Sequence, residues 1–128
     1  MTGGYVDGFM FAVPKKNTAA YTKMAKEACK VWKKFGAISY YECMGEDLEP
    51  KAGPDGKKPR SFIKAAAAKE DEVVWFSFIV FKSRAHRDQV NKKVMAYFDK
   101  KYADMKDFTM PFDVRRMAYG GFKAEVKA

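Results

Sequence analysis

The chain has 128 residues, of which 48% are hydrophobic and 16% aromatic, a composition that excludes an intrinsically disordered protein. Its formal net charge of +9 brings acidic partners into consideration. We find no apolar run long enough for a membrane helix or a secretion signal, so we expect a cytoplasmic protein without a membrane partner. Since no linker or internal repeat is visible, we expect one domain over residues 1–128.

Cysteine and histidine are both scarce. Cys29 and Cys43 are the only cysteines, and without a secretion signal they are expected to be reduced. His86 is the single histidine, and no Cys-x-x-Cys pair occurs, so we predict no metal site. Walker, Rossmann and nucleophile-elbow motifs are also missing from the sequence, and we expect no cofactor.

The first predicted element is a strand from Tyr5 to Val13, which Pro14 ends because proline cannot donate to a ladder. Alternation places Asp7 on the same face as Phe9 and the other apolar residues of this strand. A charge in that position is costly unless it is paired, so Asp7 is a candidate functional residue.

A helix is predicted next, capped by Asn17 or Thr18, continuing to Phe35 and closed by Gly36. One face is apolar at intervals of three and four residues, which is typical of a core-facing stripe. The stripe consists of Tyr21, Met24, Ala25, Ala28, Val31, Trp32 and Phe35. The opposite face is basic, with seven lysines and one glutamate between residues 15 and 34.

Ala37–Gly45 reads as a second strand, in which Glu42 sits among apolar residues as Asp7 does. Glu46–Arg60 contains three prolines, two glycines and eight charged residues, the composition of a mobile loop. Ser61–Lys69 is ambiguous. Its Ala65–Ala68 run favours a helix, whereas the preceding Phe and Ile favour a strand, and we predict a strand.

The most apolar stretch is Val73–Phe81, nine residues of which all but Ser77 are β-branched or aromatic. Such a run favours a strand over a buried helix. One face carries Val73, Trp75, Ser77, Ile79 and Phe81, and the other carries Val74, Phe76, Phe78 and Val80. Because both faces are apolar, this central strand needs cover on both sides.

The last part of the chain predicts a second long helix, an irregular segment and a final strand. Ser83 is a good N-cap for a helix that runs to between Tyr97 and Lys101. Asp107–Asp113 is expected to be irregular. The final strand is predicted over Arg116–Val126, with its two consecutive glycines marking a bulge or a close backbone approach.

This order of elements predicts an α+β fold: a ferredoxin-like sandwich with an antiparallel sheet and two helices on one face. The helices leave the second face of the sheet uncovered. A monomer would then expose a larger apolar patch than soluble monomers usually tolerate. We therefore predict a homodimer whose sheets pack face to face as a dimeric α+β barrel.

Short motifs along nearly the whole chain point the same way. They are Tyr5-Val6-Asp7-Gly8-Phe9, Val13-Pro14, Phe35-Gly36-Ala37, Glu42-Cys43, Pro54-Asp55-Gly56-Lys57, Met110-Pro111-Phe112-Asp113, Arg116-Met117 and Tyr119-Gly120-Gly121-Phe122. These motifs resemble the YbaA-like family, small bacterial proteins of unknown function in the dimeric α+β barrel superfamily. The resemblance implies a dimeric barrel and a bacterial cytoplasmic origin, and it brings no established reaction.

Other branches of that superfamily include cofactor-free monooxygenases and haem-degrading enzymes. The haem-degrading branch uses an Asn on the first strand, a Trp near the end of the strand before the second helix, and a His within that helix. At those positions this chain has Asp7, Phe81 and a histidine too early in the helix. The haem pattern therefore does not carry over.

Five residues are candidates for a ligand site: Asp7, Glu42, His86, Arg116 and Tyr119. An imidazole suits acid–base work, but His86 also fits a capping turn. Asp7 and Glu42 fit either a carboxylate pair on neighbouring strands or neutralisation by Arg116 or Lys64. Tyr119 can orient a ligand or simply pack against other aromatic rings. No catalytic residue is assigned, and the sequence leaves open whether the protein is an enzyme.

The functional hypothesis is a small metabolite bound in a sheet-lined pocket, more specifically an anionic or aromatic one because of the basic surroundings. The alternative is a nucleic-acid-binding or protein-interaction module that uses the basic helical face. An aromatic-rich sheet is typical of RNA-recognition motifs, but their consensus sequence is missing from Val73–Phe81. Nucleic acid is therefore the less favoured partner.

Overall fold

A computed structural model describes residues 4–105 and 108–128. The strands are β1 (Tyr5–Pro14), β2 (Ser39–Met44), β3 (Glu72–Phe81) and β4 (Ala118–Lys123). The helices are α1 (Thr18–Lys34), α2 (Phe62–Ala65) and α3 (Arg84–Lys101), and short 3-10 turns occur at Lys15–Asn17 and Val114–Arg116. Among these helices none is long and apolar enough to cross a bilayer.

The four strands form one antiparallel sheet in the order β2-β3-β1-β4. The two central strands are therefore β3 and β1, and α1 and α3 connect strands on one face of the sheet. This is the order of a ferredoxin-like sandwich, and the predicted α+β class with an antiparallel sheet is confirmed.

The core lies between the sheet and the two long helices. Trp75, Ser77, Ile79 and Phe81 on the helix side of β3 are all buried. Around them the buried side chains form two clusters. One gathers Tyr5, Val31, Ala37, Ile79, Phe81, Val90 and Val94, and the other Phe11, Val13, Tyr21, Ala25, Trp75 and Phe112.

The second face of the sheet, which we call the open face, is not covered by α1 or α3, and the short helix α2 contacts it only through Phe62, which packs against Phe76. Alternation and strand register assign to it Val6, Gly8, Met10, Ala12, Ser39, Tyr41, Cys43, Val74, Phe76, Phe78, Val80, Ala118, Gly120 and Phe122. The same register places Pro14 and Glu72 at one end of this face, and Glu72, which is paired with Arg116, is the charged residue that it carries. Phe76 is 43% exposed and Phe122 60% exposed, so large apolar side chains of this face meet solvent.

Local signals fix the ends of the long helices. The Ser83 hydroxyl accepts a hydrogen bond from the His86 backbone N–H at 3.1 Å, which confirms the predicted N-cap of α3. Gly36 follows α1 with φ +116°, a conformation that favours glycine. The Asn17 side chain makes no capping bond and instead donates to the Pro111 carbonyl at 2.9 Å, fastening the segment after α3 to the start of α1.

Several predicted boundaries need correction. The strand predicted at Ser61–Lys69 is wrong, because Ser61 caps the short helix α2, accepting from the Lys64 N–H at 3.0 Å. The last strand is shorter than Arg116–Val126, since residue 116 belongs to a 3-10 turn and β4 ends at residue 123. Residues 108–113 are irregular as predicted, while Asp107 lies outside the described residues.

Candidate functional site

A cavity of about 570 Å³ lies between the helix side of the sheet and the two long helices. The sheet supplies its floor through Phe9, Phe11, Ser77 and Ile79. The walls come from α1, α3 and the segment over residues 108–117. This volume falls within the range of small-molecule sites, about 300–1,000 Å³.

Aromatic and methionine side chains dominate the wall of the cavity. The aromatic ones are Phe9, Phe11, Tyr21, Trp32, Tyr40, Phe98, Tyr102, Phe108 and Phe112, and the methionines are Met24, Met95, Met110 and Met117. Within residues 4–105 and 108–128, the charged residues on the wall are Glu27 and Glu42, and no lysine or arginine contributes. The cavity of this basic protein is thus apolar and carries only carboxylates.

Glu42 supplies the carboxyl group on the β2 side of the cavity. Its Oε1 accepts a hydrogen bond from the Tyr21 hydroxyl at 2.8 Å, and its Oε2 accepts from the Tyr40 hydroxyl at 2.7 Å. Ser77 lies directly opposite Glu42 in the register and is 5% exposed. Burial raises the pKa of Glu42, and hydrogen bonds from Tyr40, Tyr21 and Ser77 oppose that rise.

Both tyrosines remain hydrogen-bond donors over the whole physiological range. Burial and the Glu42 carboxylate raise the pKa of Tyr21 and of Tyr40 well above the ordinary value for tyrosine. Tyr21 comes from α1 and Tyr40 from β2, so the carboxyl group is held in one orientation by a helix and a strand.

The cavity opens to solvent between α1, the end of α3 and the segment that follows it. Met95, Phe108 and Val114 belong to the wall and are each about half exposed. At this edge Glu27 accepts hydrogen bonds from Lys101 Nζ at 2.5 Å and from the Tyr102 hydroxyl. These bonds lower the pKa of Glu27 and join α1 to α3 beside the opening.

A second polar cluster surrounds Asp7, which is 1% exposed. Its Oδ1 accepts from Arg87 Nη1 at 2.7 Å, and its Oδ2 accepts from Asn91 Nδ2 at 3.3 Å. Arg87 Nη1 also donates to the Tyr119 hydroxyl at 3.0 Å, and Asn91 Oδ1 accepts from Trp32 Nε1 at 3.0 Å. The buried carboxylate is therefore paired and fully hydrogen-bonded, as burial of a charge requires.

The Asp7 cluster adjoins the cavity without opening into it. Trp32 lines the cavity and donates to the cluster, and Phe9 lines the cavity and packs against Tyr119 with ring centroids 4.9 Å apart. The Arg87 guanidinium lies 4.9 Å from the Tyr5 ring centroid on the other side. The cluster thus fixes two aromatic side chains of the cavity wall.

His86 occupies the first turn of α3. Its Nδ1 accepts a hydrogen bond from the Lys82 backbone N–H at 2.9 Å, and its ring packs edge-on against Phe81. These contacts fit the capping-turn interpretation of this residue. His86 is not part of the cavity wall.

Arg116 makes a two-pronged ion pair at the opposite end of the sheet. Its Nη1 and Nη2 donate to the Glu72 carboxylate at 2.7 and 2.8 Å, and Nη2 also donates to the Ala67 carbonyl at 2.8 Å. Ala67 has φ +50°, a conformation that costs energy in a residue other than glycine. Arg116 therefore holds the chain between α2 and β3 in place.

Comparison with known proteins places the chain in a family. Residues 4–114 match the family described as "Protein of unknown function (DUF1428)". The chain belongs to this family. The uncharacterized protein YbaA of Escherichia coli strain K12 is 43% identical over 122 residues, which cover 94% of this chain and 95% of YbaA. YbaA of Shigella flexneri has the same identity and coverage, and the predicted resemblance to YbaA-like proteins is confirmed.

For this DUF1428 member, the predicted site residues fall into separate places. Asp7 and Tyr119 meet around Arg87, whereas His86 and Arg116 make unrelated contacts. Glu42 alone among the five lines the cavity. Asp7 and Glu42 do not lie on neighbouring strands, because β3 separates β1 from β2, and their partners are not Arg116 or Lys64.

Sequence reasoning missed the two tyrosines that bind Glu42. Tyr40 stands two residues before it, so alternation already places both on one face of the strand. Tyr21 belongs to the apolar stripe of α1 and was assigned to the core. Among the described residues, no group of three or more His, Cys, Asp or Glu side chains is arranged to hold a metal ion.

Proposed function

We propose that the protein binds a small, largely aromatic or apolar molecule in the cavity beneath α1 and α3. The observation that carries this proposal is the cavity itself, about 570 Å³ of space bounded by aromatic and methionine side chains with one hydrogen-bonding group at Glu42. Most ligand sites combine apolar walls with a few convergent polar groups in this way. Methionine adds adaptable, polarisable surface.

The sequence-based hypothesis is an anionic or aromatic metabolite, and the composition of the cavity wall supports an aromatic one. For an anionic ligand the described wall offers carboxylates and no cation, so the basic surroundings do not extend into the cavity. Binding is the whole of the proposal, since no nucleophile or metal set is assembled on the wall of the described chain.

The test uses a neutral fluorescent aromatic probe, N-phenyl-1-naphthylamine, whose emission rises in apolar surroundings. We expect saturable binding by the wild-type protein and at least tenfold weaker binding by Ala28→Phe, which places a ring inside the cavity. Ala20→Phe is the matched control, because Ala20 lies on the same helix, is exposed, and is not part of the wall. Equal binding by both variants, or none by the wild type, counts against the cavity as the site.

We further propose that two copies associate through the open face, giving the dimeric barrel that the sequence predicts. The face carries one charged residue by register, Glu72 at the end of β3, which is paired with Arg116, although 32% of the chain is charged. Aromatic rings already pack on it: Tyr41 and Phe78 stack with their centroids 4.9 Å apart, and Phe62 of α2 meets Phe76 edge-to-face with centroids 6.0 Å apart. A second copy is the occupant that this face fits, because a patch without an unpaired charge complements itself under two-fold symmetry.

A second candidate function is binding of nucleic acid by what we call the helical layer, residues 15–34 and 84–101. This layer holds thirteen of the 25 basic residues and three of the 16 acidic ones, a net charge of +10 in a chain whose total is +9. Titrating labelled duplex DNA and single-stranded RNA at 50 and 200 mM salt tests it, because phosphate contacts weaken steeply with salt. No binding at micromolar protein and 50 mM salt removes this candidate.

A further inference from the structure

The charge inside the cavity is opposite in sign to the charge of the protein. The chain carries +9, yet the described wall holds Glu42 and Glu27 and no basic residue. Glu27 is neutralised at the opening by Lys101 Nζ at 2.5 Å. Glu42 has no such cation, since its two oxygens accept from Tyr21 and Tyr40.

Glu42 retains capacity to accept a hydrogen bond from a ligand. Each carboxylate oxygen has two lone pairs. One tyrosine hydroxyl occupies one lone pair on each oxygen, and Ser77 takes a third, so one lone pair is left for a ligand. The groups that face the carboxyl are Tyr21 from α1, Tyr40 from β2 and Ser77 from β3, and none of them carries a positive charge. A hydrogen-bond donor on the ligand is therefore the expected partner for the remaining acceptor capacity of the Glu42 carboxylate.

The aromatic wall of the cavity also favours a ligand with a positively charged donor group. The faces of aromatic rings carry partial negative charge and attract cations, most strongly where water is excluded. Trp32, Tyr40 and Phe98 stand among nine aromatic side chains around the cavity. A cage of rings with one carboxylate at its inner side is suited to an ammonium group attached to an aromatic body.

We propose that the ligand is an aromatic or apolar amine, bound with its ammonium group at Glu42 and its apolar body between α1, α3 and the sheet. This inference rests on the proposed binding function and names the chemical class of the ligand. The ammonium group is the cationic partner that Glu42 does not have within the protein. The two opposite charges are then buried as a pair rather than singly. Amine binding also stabilises the ionised form of Glu42, whose pKa is raised in the free protein.

The experiment compares three ligands with the same ring system and different charge: 1-naphthylmethylamine, 1-naphthalenemethanol and 1-naphthoate. Affinities are measured by calorimetry on the full chain at pH 7. We expect the amine to bind at least tenfold tighter than the neutral alcohol and the carboxylate to bind weakest. In Glu42→Gln the preference for the amine over the alcohol should fall to within threefold, while the alcohol keeps its affinity. Glu125→Gln is the control, because the Glu125 side chain is 81% exposed and is not part of the cavity wall, and it should retain the preference.

Each outcome decides something. An amine that binds no tighter than the alcohol overturns the inference and leaves the binding function standing, because the alcohol still binds. A preference that survives Glu42→Gln also overturns it, since another group must then recognise the amine. If none of the three ligands binds, the proposed function fails and the inference fails with it. The wild-type ranking decides the question even if Glu42→Gln does not fold, which circular dichroism reports.

Discussion

The pair of Asp7 and Arg87 shows how one residue's burial depends on another far along the chain. Arg87 is the cation that compensates a carboxylate of 1% exposure. We expect Arg87→Met to lower the free energy of unfolding by about 3–5 kcal/mol, because it leaves a buried charge without its partner. The double variant with Asp7→Asn should recover part of that loss, since no charge then remains buried.

Urea unfolding at pH 7 measures both effects. Asp88→Asn is the control, because Asp88 is the exposed second partner of Arg87 and its side chain is 60% exposed. Its loss should cost less than about 1 kcal/mol. If the double variant is no more stable than Arg87→Met, the burial of an unpaired Asp7 is not the cause.

The ion pair of Glu72 and Arg116 gives a prediction about pH. Hydrogen bonds from Arg116 lower the pKa of Glu72 from 4.5 to about 2. A carboxyl group whose pKa is lowered by folding stabilises the protein above its unfolded pKa and loses that contribution as pH falls through the folded value. We expect Arg116→Gln to destabilise the protein at pH 7, because Glu72 then loses two charge-assisted hydrogen bonds. The difference from wild type should shrink between about pH 4.5 and 2.

Thermal unfolding of both proteins across pH 2–7 measures this difference. Arg115→Gln is the neighbouring control: its side chain is 90% exposed and pairs with Asp113 at the surface. We expect it to leave stability nearly unchanged at any pH, because an exposed ion pair contributes little. A difference for Arg116→Gln that stays constant down to pH 2 would show that Glu72 is not the partner that matters.

Sequence reasoning singled out Asp7 and Glu42 correctly as unusual, because each is an acid in an apolar, alternating pattern. It could not identify the partners. Arg87 is 80 residues from Asp7, and which of several basic residues meets it depends on how α3 lies across the sheet. Whether Tyr21 packs in the core or lines a cavity depends likewise on the spacing between layers, which a repeat of apolar residues does not encode.

At the scale of elements, the strands and the two long helices were predictable because their patterns are strong and local. The central strand contains eight apolar residues in a run of nine, and α1 keeps one apolar stripe over its length. Helix α2 is not predicted by the sequence, because Phe62 favours a strand. In the structure Phe62 is the first residue of α2, and its ring packs against Phe76 of the sheet. Such a tertiary contact overrides local propensity in a segment this short.

The pairing of β1 with β4 makes a prediction about two adjacent glycines. The register of this pair is continuous, so the glycines do not form a bulge. They instead allow the close approach that the sequence also predicts. A Cβ on Gly121 would collide with the buried ring of Tyr5, whereas a Cβ on Gly120 would meet Phe122 at 3.6 Å, an ordinary contact. We expect Gly121→Ala to lose about 1–3 kcal/mol through overpacking and Gly120→Ala to lose much less. Parallel denaturant titrations compare the two, and equal losses would point to the backbone rather than to Tyr5.

At the scale of the whole molecule, the chain separates its charge from its apolar surface. The helical layer carries the net positive charge on one side of the sheet, and the open face, whose one charged residue by register is the paired Glu72, lies on the other. In a dimer joined through the open faces, the sheets stand about 10 Å apart and the helices lie roughly 30 Å from those of the partner. This separation exceeds the Debye length of about 8 Å at physiological salt, so the two basic layers scarcely repel.

If two copies associate through the open face, we expect the protein in solution at micromolar concentration to have twice the chain mass of 14.6 kDa. Phe76→Glu should convert it to a monomer, because burying a carboxylate between two apolar sheets costs several kcal/mol per subunit. Within one chain Phe76 is already 43% exposed, so the monomer should keep its circular dichroism spectrum and its cavity. Ala20→Glu adds the same charge to the helical layer and should stay dimeric. Sedimentation velocity separates the two states: a monomeric wild type, or a Phe76→Glu variant that remains dimeric, assigns the open face to some other role.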